Sequence, residues 1–460
     1  MSLIIPANTL ASGGYAVDNS LRFNSASNDY LSRVESSTQG SATKASFSAW
    51  IKRSNISSNY PRIISILPSS NNGLEIFFRN TDTLEIKVKF NSATRANLQT
   101  TRLFRDVNAW YHILVSIDST SGTADDRVRL YINGVKETSF GTRINPDQNA
   151  NIKIAAPHTF QIGAEVGGSS NNFNGYISEL VWMDGTAHGI SPESYFGEFN
   201  EDSGIWQPIS VSGLTFGTNG FYLDFENSGS LGADVSGNGN NFTVNNLTTI
   251  DQTTDTCTNN FATMNPLDNF WQGFAFSDGN TTVTTTNASQ SYSTSSIMVS
   301  SGKWYVECKP VSGGSEPEIG IFSKLTGANA GNNSQLSYNA NGYAYRASNP
   351  GSVWYNGSAV STSFSQYANG DIVGIALDLD NNKLYFSKNG TFGNSGNPTS
   401  GSTGTGAISI VAPTSTTLGA YAFAMNETFN DQNKVFSWNF GNAPFAISSG
   451  NTDGDGYGNF

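Results

Sequence analysis

Short runs of alternating apolar and polar residues, separated by polar turn segments, extend along most of the chain. Residues 84–90, Leu-Glu-Ile-Lys-Val-Lys-Phe, alternate as a strand does when one face is buried and the other exposed. Asn-Gly pairs end alternating runs at Asn133 and Asn389, and this pair favours the type I′ turn of a β-hairpin. The pattern predicts many short antiparallel strands and almost no long helix.

Two groups of predicted strands lie on either side of a connecting segment. We therefore predict an all-β protein with two antiparallel β-sandwich (jelly-roll) modules. The predicted domains are an N-terminal arm at 1–20, a first sandwich at 21–200, a connector at 201–268 and a second sandwich at 269–460.

The connector itself shows strand-like alternation. Residues 221–225, Phe-Tyr-Leu-Asp-Phe, alternate in this way, and residues 242–244 are expected to pair beside them. We expect the connector to pack on the sandwiches as a rigid joint rather than to be a free linker.

Composition supports a β-protein and narrows the choice of partners. Only 13% of residues are charged, whereas 12% are aromatic and 47 are glycine. The excess of 36 acidic over 24 basic residues gives a net charge of −12, which disfavours a nucleic acid partner. No apolar run approaches the length of a membrane span and the start lacks a signal-peptide pattern, so we expect a soluble chain made in a cytoplasm.

The chain has two cysteines, Cys257 and Cys308. Two are too few for a disulfide scaffold, and we expect free thiols. One disulfide between them stays an alternative for a protein that functions outside cells.

Motifs in both predicted sandwiches resemble known β-sandwich families. The order Trp110-Tyr-His-Ile113, Val128-Arg-Leu-Tyr-Ile-Asn-Gly134 and Phe173-Asn-Gly-Tyr-Ile-Ser-Glu-Leu180 resembles the laminin G and concanavalin A-like lectin superfamily. That resemblance implies a jelly roll that binds glycan at a loop-lined rim, in some members with calcium.

The second module resembles the SPRY domain, which is also a β-sandwich. The motifs that carry this resemblance occur in order and are Gly302-Lys-Trp-Tyr305, Ile319-Gly-Ile321, Gly370-Asp-Ile-Val-Gly374 and Phe386-Ser-Lys-Asn-Gly390.

The connector carries a third resemblance. Gly204-Ile-Trp-Gln-Pro208, Asp234-Val-Ser-Gly-Asn-Gly-Asn-Asn241 and Asn260-Phe-Ala-Thr-Met-Asn-Pro-Leu-Asp268 are similar to the connecting sequence of virion proteins of tailed bacteriophages, especially of marine phages. The resemblance implies a virion structural protein, displayed on the particle and assembled in the bacterial host cytoplasm.

Two functions remain open for such a protein. The leading hypothesis is a tail-fibre or tail-appendage adhesin that binds host-surface glycan. The alternative is a capsid decoration or head-fibre protein, which the lack of collagen-like, heptad and β-helical repeats favours. We expect other virion proteins, a glycan or receptor and a homo-oligomer as partners, with no nucleic acid and no membrane insertion.

Residues for catalysis are sparse, and we predict no enzyme. His112 lies in an apolar strand and is interpreted as a structural histidine, and His158 and His188 lack metal-ligand spacing. The acid pair of a lectin-like glucanase is missing. Glu75 and Glu179 are single acids in alternating strands and are interpreted as solvent-facing.

Calcium is the one cofactor that the pattern leaves open. Asp118, Asp125 and Asp126 bracket one loop and offer the oxygen ligands that calcium accepts. Residues 234–241 are a weaker candidate of the same kind. In both segments Asp, Asn and Gly are also ordinary turn residues.

Aromatic residues near predicted turns of the second module are the candidate glycan-binding site. Tyr343, Tyr345, Trp354 and Tyr355 lie close to Asn-Gly turns, where an exposed ring could stack on a sugar. Burial in the core is the competing interpretation. The tryptophans in stronger strand patterns, Trp50, Trp110, Trp182, Trp304 and Trp438, are expected in the core.

Overall fold

The structure is a computed structural model. It describes residues 14–35, 40–56, 59–69, 72–152, 158–167, 171–189, 195–269, 273–286, 291–313, 317–323, 335–427, 433–448, 450–454, 456 and 458–460. Residues 1–13 of the predicted arm lie outside these ranges. The all-β prediction is confirmed, because antiparallel strands form the described elements together with short 3-10 turns. In these ranges no helix is long and apolar enough to span a membrane.

The chain divides into two compact units, one over residues 9–260 and one that contains residues 261–460. Residues 201–260 of the predicted connector therefore fold with the first unit, and residues 261–268 fold with the second. Each unit has its own hydrophobic core.

The first unit contains strands β1–β18. They are β1 (Ser20–Phe23), β2 (Tyr30–Glu35), β3 (Lys44–Arg53), β4 (Arg62–Ser69), β5 (Asn72–Phe78), β6 (Leu84–Phe90), β7 (Ala93–Thr100), β8 (Trp110–Asp118), β9 (Val128–Ile132), β10 (Val135–Lys136), β11 (Phe140–Ile144), β12 (His158–Ile162), β13 (Gly175–Asp184), β14 (Gly197–Phe199), β15 (Trp206–Pro208), β16 (Phe221–Leu223), β17 (Thr243–Asn245) and β18 (Gln252–Thr253). The 3-10 turns of this unit are Ala124–Asp126 and Thr249–Asp251.

Two eight-stranded antiparallel sheets form the sandwich of the first unit, and β14 and β15 pair as a separate two-stranded sheet. One eight-stranded sheet has the order β10-β9-β8-β3-β13-β1-β18, with β16 paired to β13, and the other has the order β11-β7-β6-β5-β4-β12-β2-β17. Inward residues of both sheets, such as Phe47 of β3 and Ile76 of β5, are fully buried in one core. The predicted Asn-Gly turn joins β9 to β10, with φ of 46° at Asn133 and 78° at Gly134.

Residues 201–260 of the connector are part of the first unit. Their strands β16, β17 and β18 pair with β13, β2 and β1. Phe221 and Phe242 are buried in the core and pack edge to face, with ring centroids 4.7 Å apart. The expectation that residues 242–244 pair beside β16 was wrong, because Thr243–Asn245 pairs with β2 in the opposite sheet.

The second unit contains strands β19–β33. They are β19 (Met264–Asn269), β20 (Phe274–Ser277), β21 (Thr282–Thr285), β22 (Ser291–Val299), β23 (Lys303–Ser312), β24 (Glu318–Phe322), β25 (Gly342–Arg346), β26 (Gly351–Tyr355), β27 (Ser358–Phe364), β28 (Val373–Asp378), β29 (Lys383–Lys388), β30 (Thr391–Phe392), β31 (Ile408–Ser409), β32 (Tyr421–Glu427) and β33 (Val435–Asn439). Its 3-10 turns are Asp278–Asn280, Leu336–Tyr338, Gly393–Ser395, Gly401–Thr403 and Pro413–Ser415.

A seven-stranded and an eight-stranded antiparallel sheet form the second unit. Their orders are β19-β22-β32-β24-β25-β26-β27 and β20-β21-β33-β23-β28-β29-β30, with β31 paired to β29. Ile321 of the first sheet and Trp438 of the second are fully buried in a shared core. The predicted turn at Asn389 joins β29 to β30, with φ of 48° there and 77° at Gly390.

Candidate functional site: an aromatic platform on the second unit

Strand alternation brings one of the predicted aromatic residues to the outer face of the seven-stranded sheet. Successive side chains of a strand point to opposite faces. Tyr343 and Tyr345 of β25 point into the core, where they are only 3% and 1% exposed. Ala344 lies on the other face and is paired in register with Trp354 of β26. Trp354 is therefore carried outward and is half-buried.

A second ring reaches the same face from the 3-10 turn Leu336–Tyr338. Leu336 anchors this turn, because it is buried in a small cluster with Phe322 and Ala344. Tyr338 is 42% exposed, and its ring lies beside that of Trp354, with centroids 6.1 Å apart and planes 22° apart. We call Trp354 and Tyr338 together the platform.

A buried ion pair supports the platform. The Arg346 guanidinium lies over both rings, 4.9 Å from the Trp354 centroid and 6.0 Å from the Tyr338 centroid. Its Nε is 3.1 Å from Oε1 of Glu318, and the Glu318 side chain is fully buried. Burial raises the pKa of Glu318, while hydrogen bonds from Ser337 and the charge of Arg346 act in the opposite direction. The charge of Arg346 is thus balanced by Glu318.

Hydrogen bonds fix the orientation of the Trp354 ring. Its indole N–H donates to the hydroxyl of Ser352 at 2.8 Å, and that hydroxyl is 2.8 Å from the hydroxyl of Ser348. The Trp354 N–H is therefore satisfied within the protein. The Tyr338 hydroxyl makes no hydrogen bond within the described residues, so it is free to contact a ligand.

The other predicted aromatic residues do not join the platform. Tyr343 stacks face to face on Tyr355, with centroids 4.3 Å apart and planes 12° apart. Tyr355 packs against the core, as does the buried ring of Tyr345. Of the predicted set, the structure places only Trp354 on the outer face.

Sequence reasoning missed Tyr338 and misplaced Trp304. Tyr338 follows Ser337 in a polar segment without alternation, so no local signal pointed to it. The prediction that Trp304 is a core residue was wrong, because it is 36% exposed. It is the second residue of β23 and so lies at the start of the strand. Its indole N–H donates to the carbonyl of Ser301 at 2.7 Å.

The three predicted calcium ligands each have a basic partner. Oδ2 of Asp118 is 3.2 Å from Lys44 Nζ, and Oδ1 of Asp126 is 3.2 Å from Lys136 Nζ. Oδ1 of Asp125 accepts hydrogen bonds from Arg143 Nε at 3.0 Å and from Asn145 Nδ2 at 2.6 Å.

No group of three or more His, Cys, Asp or Glu side chains is arranged to hold a metal ion among the residues that the structure describes. In the weaker candidate, residues 234–241, the Asp234 carboxylate accepts backbone N–H groups of Tyr222, Ser236 and Asn240 at 3.0, 2.9 and 2.7 Å. Calcium binding stays a prediction.

The interpretation of Glu75 and Glu179 as solvent-facing was wrong, because they are only 4% and 6% exposed. Glu75 accepts a 2.7 Å hydrogen bond from Arg62 Nε. Glu179 lies at a β-bulge of β13 with φ of 50°, and its Oε2 accepts hydrogen bonds from the hydroxyls of Tyr222 at 2.7 Å and Tyr15 at 3.3 Å. Burial raises the pKa of Glu179 to about 7.

His112 is a buried strand residue. It is 0% exposed, and its Nε2 lies 2.8 Å from the hydroxyl of Ser48. Burial lowers the pKa of His112 to about 3, so the ring is neutral near pH 7. The two cysteines, Cys257 and Cys308, are free thiols, and burial raises the pKa of both.

Comparison with protein families matches residues 24–187 to the family described as the concanavalin A-like lectin/glucanases superfamily. The first unit thus has a concanavalin A-like lectin fold, as the sequence resemblance implied. A comparison with curated proteins gave no match.

Three solved structures illustrate the structural neighbours. The SPRY domain of human HERC1 is 15% identical with a TM-score of 0.30, and the match covers 38% of this chain and 96% of that chain. A putative carbohydrate binding protein from Bacteroides ovatus is 18% identical with a TM-score of 0.29, and the match covers 50% of this chain and 59% of that chain. A native heptameric SAP-like pentraxin from Limulus polyphemus is 18% identical with a TM-score of 0.31, and the match covers 45% of this chain and 93% of that chain.

Proposed function

We propose that this protein is a non-enzymatic adhesin of a tailed-bacteriophage virion, a tail-fibre or tail-appendage subunit that binds host-surface glycan through the platform. The observation that carries the proposal is the pair of neighbouring rings on the outer face, the exposed Tyr338 and the half-buried Trp354. Exposed aromatic faces stack on the C–H faces of sugars, and nearby polar groups take the hydroxyls. The lectin fold of the first unit is compatible with the same role.

The proposal that the protein belongs to a virion rests on the phage-like sequence motifs of the connector. In the proposed setting the chain is assembled in the bacterial cytoplasm as a homo-oligomer among other virion proteins. Free thiols at Cys257 and Cys308 agree with assembly in a reducing compartment.

Substitution of one platform residue tests the binding function. We expect Trp354→Ala to weaken binding of the purified protein to susceptible host cells by tenfold or more, roughly the loss of 1.4 kcal/mol from one stacked ring. Trp304→Ala is the control, because it removes a solvent-exposed tryptophan from the other sheet of the same unit. Equal binding by the two variants and the unmodified protein would contradict the proposal.

Labelling of intact virions tests the location. Antibodies are raised against this chain and detected with gold particles. We expect the gold over the tail or its appendages. Gold over the head would replace the adhesin proposal with the alternative, a capsid decoration or head-fibre protein whose units have a mainly structural role.

A further inference from the structure

We propose that Lys52 and Asn260 join through an isopeptide bond between the lysine amine and the side-chain carbonyl carbon of the asparagine, with Asp255 as the proton carrier. The bond links β3, which lies between β8 and β13 in its sheet, to the last residue of the first unit. It is carried by the contacts of these three side chains and is independent of the platform.

The amine of Lys52 contacts both other groups. Its Nζ lies 2.8 Å from Oδ2 of Asp255 and 2.8 Å from Oδ1 of Asn260. The carbonyl carbon Cγ of Asn260 is bonded to that oxygen at about 1.23 Å, so it lies within about 4 Å of Nζ. Reacting atoms in a near-attack arrangement are roughly 3 to 3.5 Å apart. A small rotation of either side chain therefore brings the amine into position to attack.

The surroundings of Lys52 favour the neutral, nucleophilic form of its amine. The side chains of Lys52 and Asp255 are both 0% exposed, and the Tyr176 ring centroid lies 5.4 Å from Nζ. Burial lowers the pKa of Lys52, whereas the Asp255 carboxylate acts in the opposite direction. Proton transfer from Lys52 to Asp255 removes both buried charges at once. It leaves a free electron pair on Nζ, which nucleophilic attack by a lysine requires.

Hydrogen bonds orient the other two groups. Nδ2 of Asn260 donates to the carbonyl of Asn108 at 2.9 Å, which turns Oδ1 of the same amide toward Lys52. Trp110 Nε1 donates to Oδ1 of Asp255 at 3.2 Å, so that Oδ2 remains directed at the amine. Asn260 is exposed as a residue. The ammonia that its amide releases can therefore leave to solvent.

The reaction is a transamidation that needs no oxidant and no other co-reactant. Asp255 takes a proton from the Lys52 ammonium, and Nζ attacks Cγ of Asn260 to form the new C–N bond. Asp255 returns this proton to the amide nitrogen as the Cγ–Nδ2 bond breaks, and it takes up the second proton that Nζ sheds. The departing ammonia removes that proton as ammonium, which regenerates the carboxylate. The Lys52 ammonium and the Asn260 amide thus give one isopeptide bond and one ammonium ion.

The mass of the purified full-length chain tests the proposal. We expect it to be lower than the mass of its sequence by one ammonia, about 17 Da. Trypsin should then fail to cleave after Lys52 and should yield one branched peptide that contains both Lys52 and Asn260. The mass of the unmodified sequence would overturn the proposal. Loss of one water instead, with Lys52 joined to Asp255, would overturn the assigned roles.

Single variants assign the bond to its two ends. Asn260→Ala removes the electrophile at an exposed position, so the variant should fold and have the unmodified mass of its own sequence. Lys52→Met should also lack the loss of ammonia. Lys44→Met is the matched control, because Lys44 is another lysine of β3 with a carboxylate 3.2 Å away, on Asp118, but its side chain is 40% exposed. It should keep the loss. A loss of ammonia that persists in Asn260→Ala or in Lys52→Met would contradict the proposed bond.

Discussion

Glu179 shows how a single buried acid can make stability depend on pH. Its pKa rises from 4.5 to about 7, because burial outweighs the hydrogen bonds from Tyr222 and Tyr15, and the charges of Asp224 and Glu226 raise it further. The folded protein therefore holds a proton on Glu179 that the unfolded chain has released between these two values. Protonation of Glu179 contributes about 3 kcal/mol to the free energy of unfolding. This contribution is fully present below pH 4.5 and is lost as the pH rises through 7.

Replacement of Glu179 by Gln tests this dependence. We expect the free energy of unfolding of Glu179→Gln, measured by urea denaturation between pH 5 and pH 8, to fall less with rising pH than that of the unmodified protein. The variant should accordingly be the more stable protein at pH 8. Parallel pH profiles of the two proteins would contradict the assigned cause.

Burial of this residue could not be predicted from alternation alone. A strand pattern identifies which residues share a face, but it does not tell whether another segment covers that face. Here Tyr222 of the connector and Tyr15 cover Glu179, and both are distant from it in sequence. The same limit applies to Tyr338, which tertiary contacts alone bring beside Trp354.

At the scale of elements, residues 201–260 of the connector are a structural part of the first unit. Phe221 is fully buried and makes edge-to-face contacts with Phe160 and Phe242, at centroid distances of 5.4 and 4.7 Å. We expect Phe221→Ala to lower the free energy of unfolding by about 3 to 5 kcal/mol, because it leaves a cavity between the two sheets. Chemical denaturation of the full chain measures the loss.

An exposed phenylalanine provides the control for this substitution. Phe199 is 47% exposed on the β14–β15 hairpin, and Phe199→Ala should cost no more than about 1 kcal/mol. Similar losses for both variants would show that the connector does not contribute to the core as described.

Strands and hairpins could be predicted, because the residue patterns that produce them are local in the sequence. The alternation of residues 84–90 corresponds to β6, and the Asn-Gly pairs at Asn133 and Asn389 form the expected turns with positive φ. The pairing partners of β16 and β17 were not predictable, because they depend on contacts between distant segments.

At the scale of the whole molecule, the two β-sandwich units support the proposed function in different ways. The first unit has the lectin fold, and the second has the neighbouring rings of Trp354 and Tyr338. Resemblance of motifs was enough to predict the sandwich class of both. It was not enough to locate the binding surface, because three of the four predicted aromatic side chains pack in or against the core.

The central claim is that sugars contact the Trp354 side chain. The chain has eight tryptophans, and each indole N–H gives its own signal in an NMR spectrum of ¹⁵N-labelled protein. The Trp354 signal, identified by its loss in Trp354→Phe, should shift on addition of the glycan that binds best, while the Trp304 and buried Trp438 signals stay in place. Saturated binding with an unchanged Trp354 signal would contradict the account.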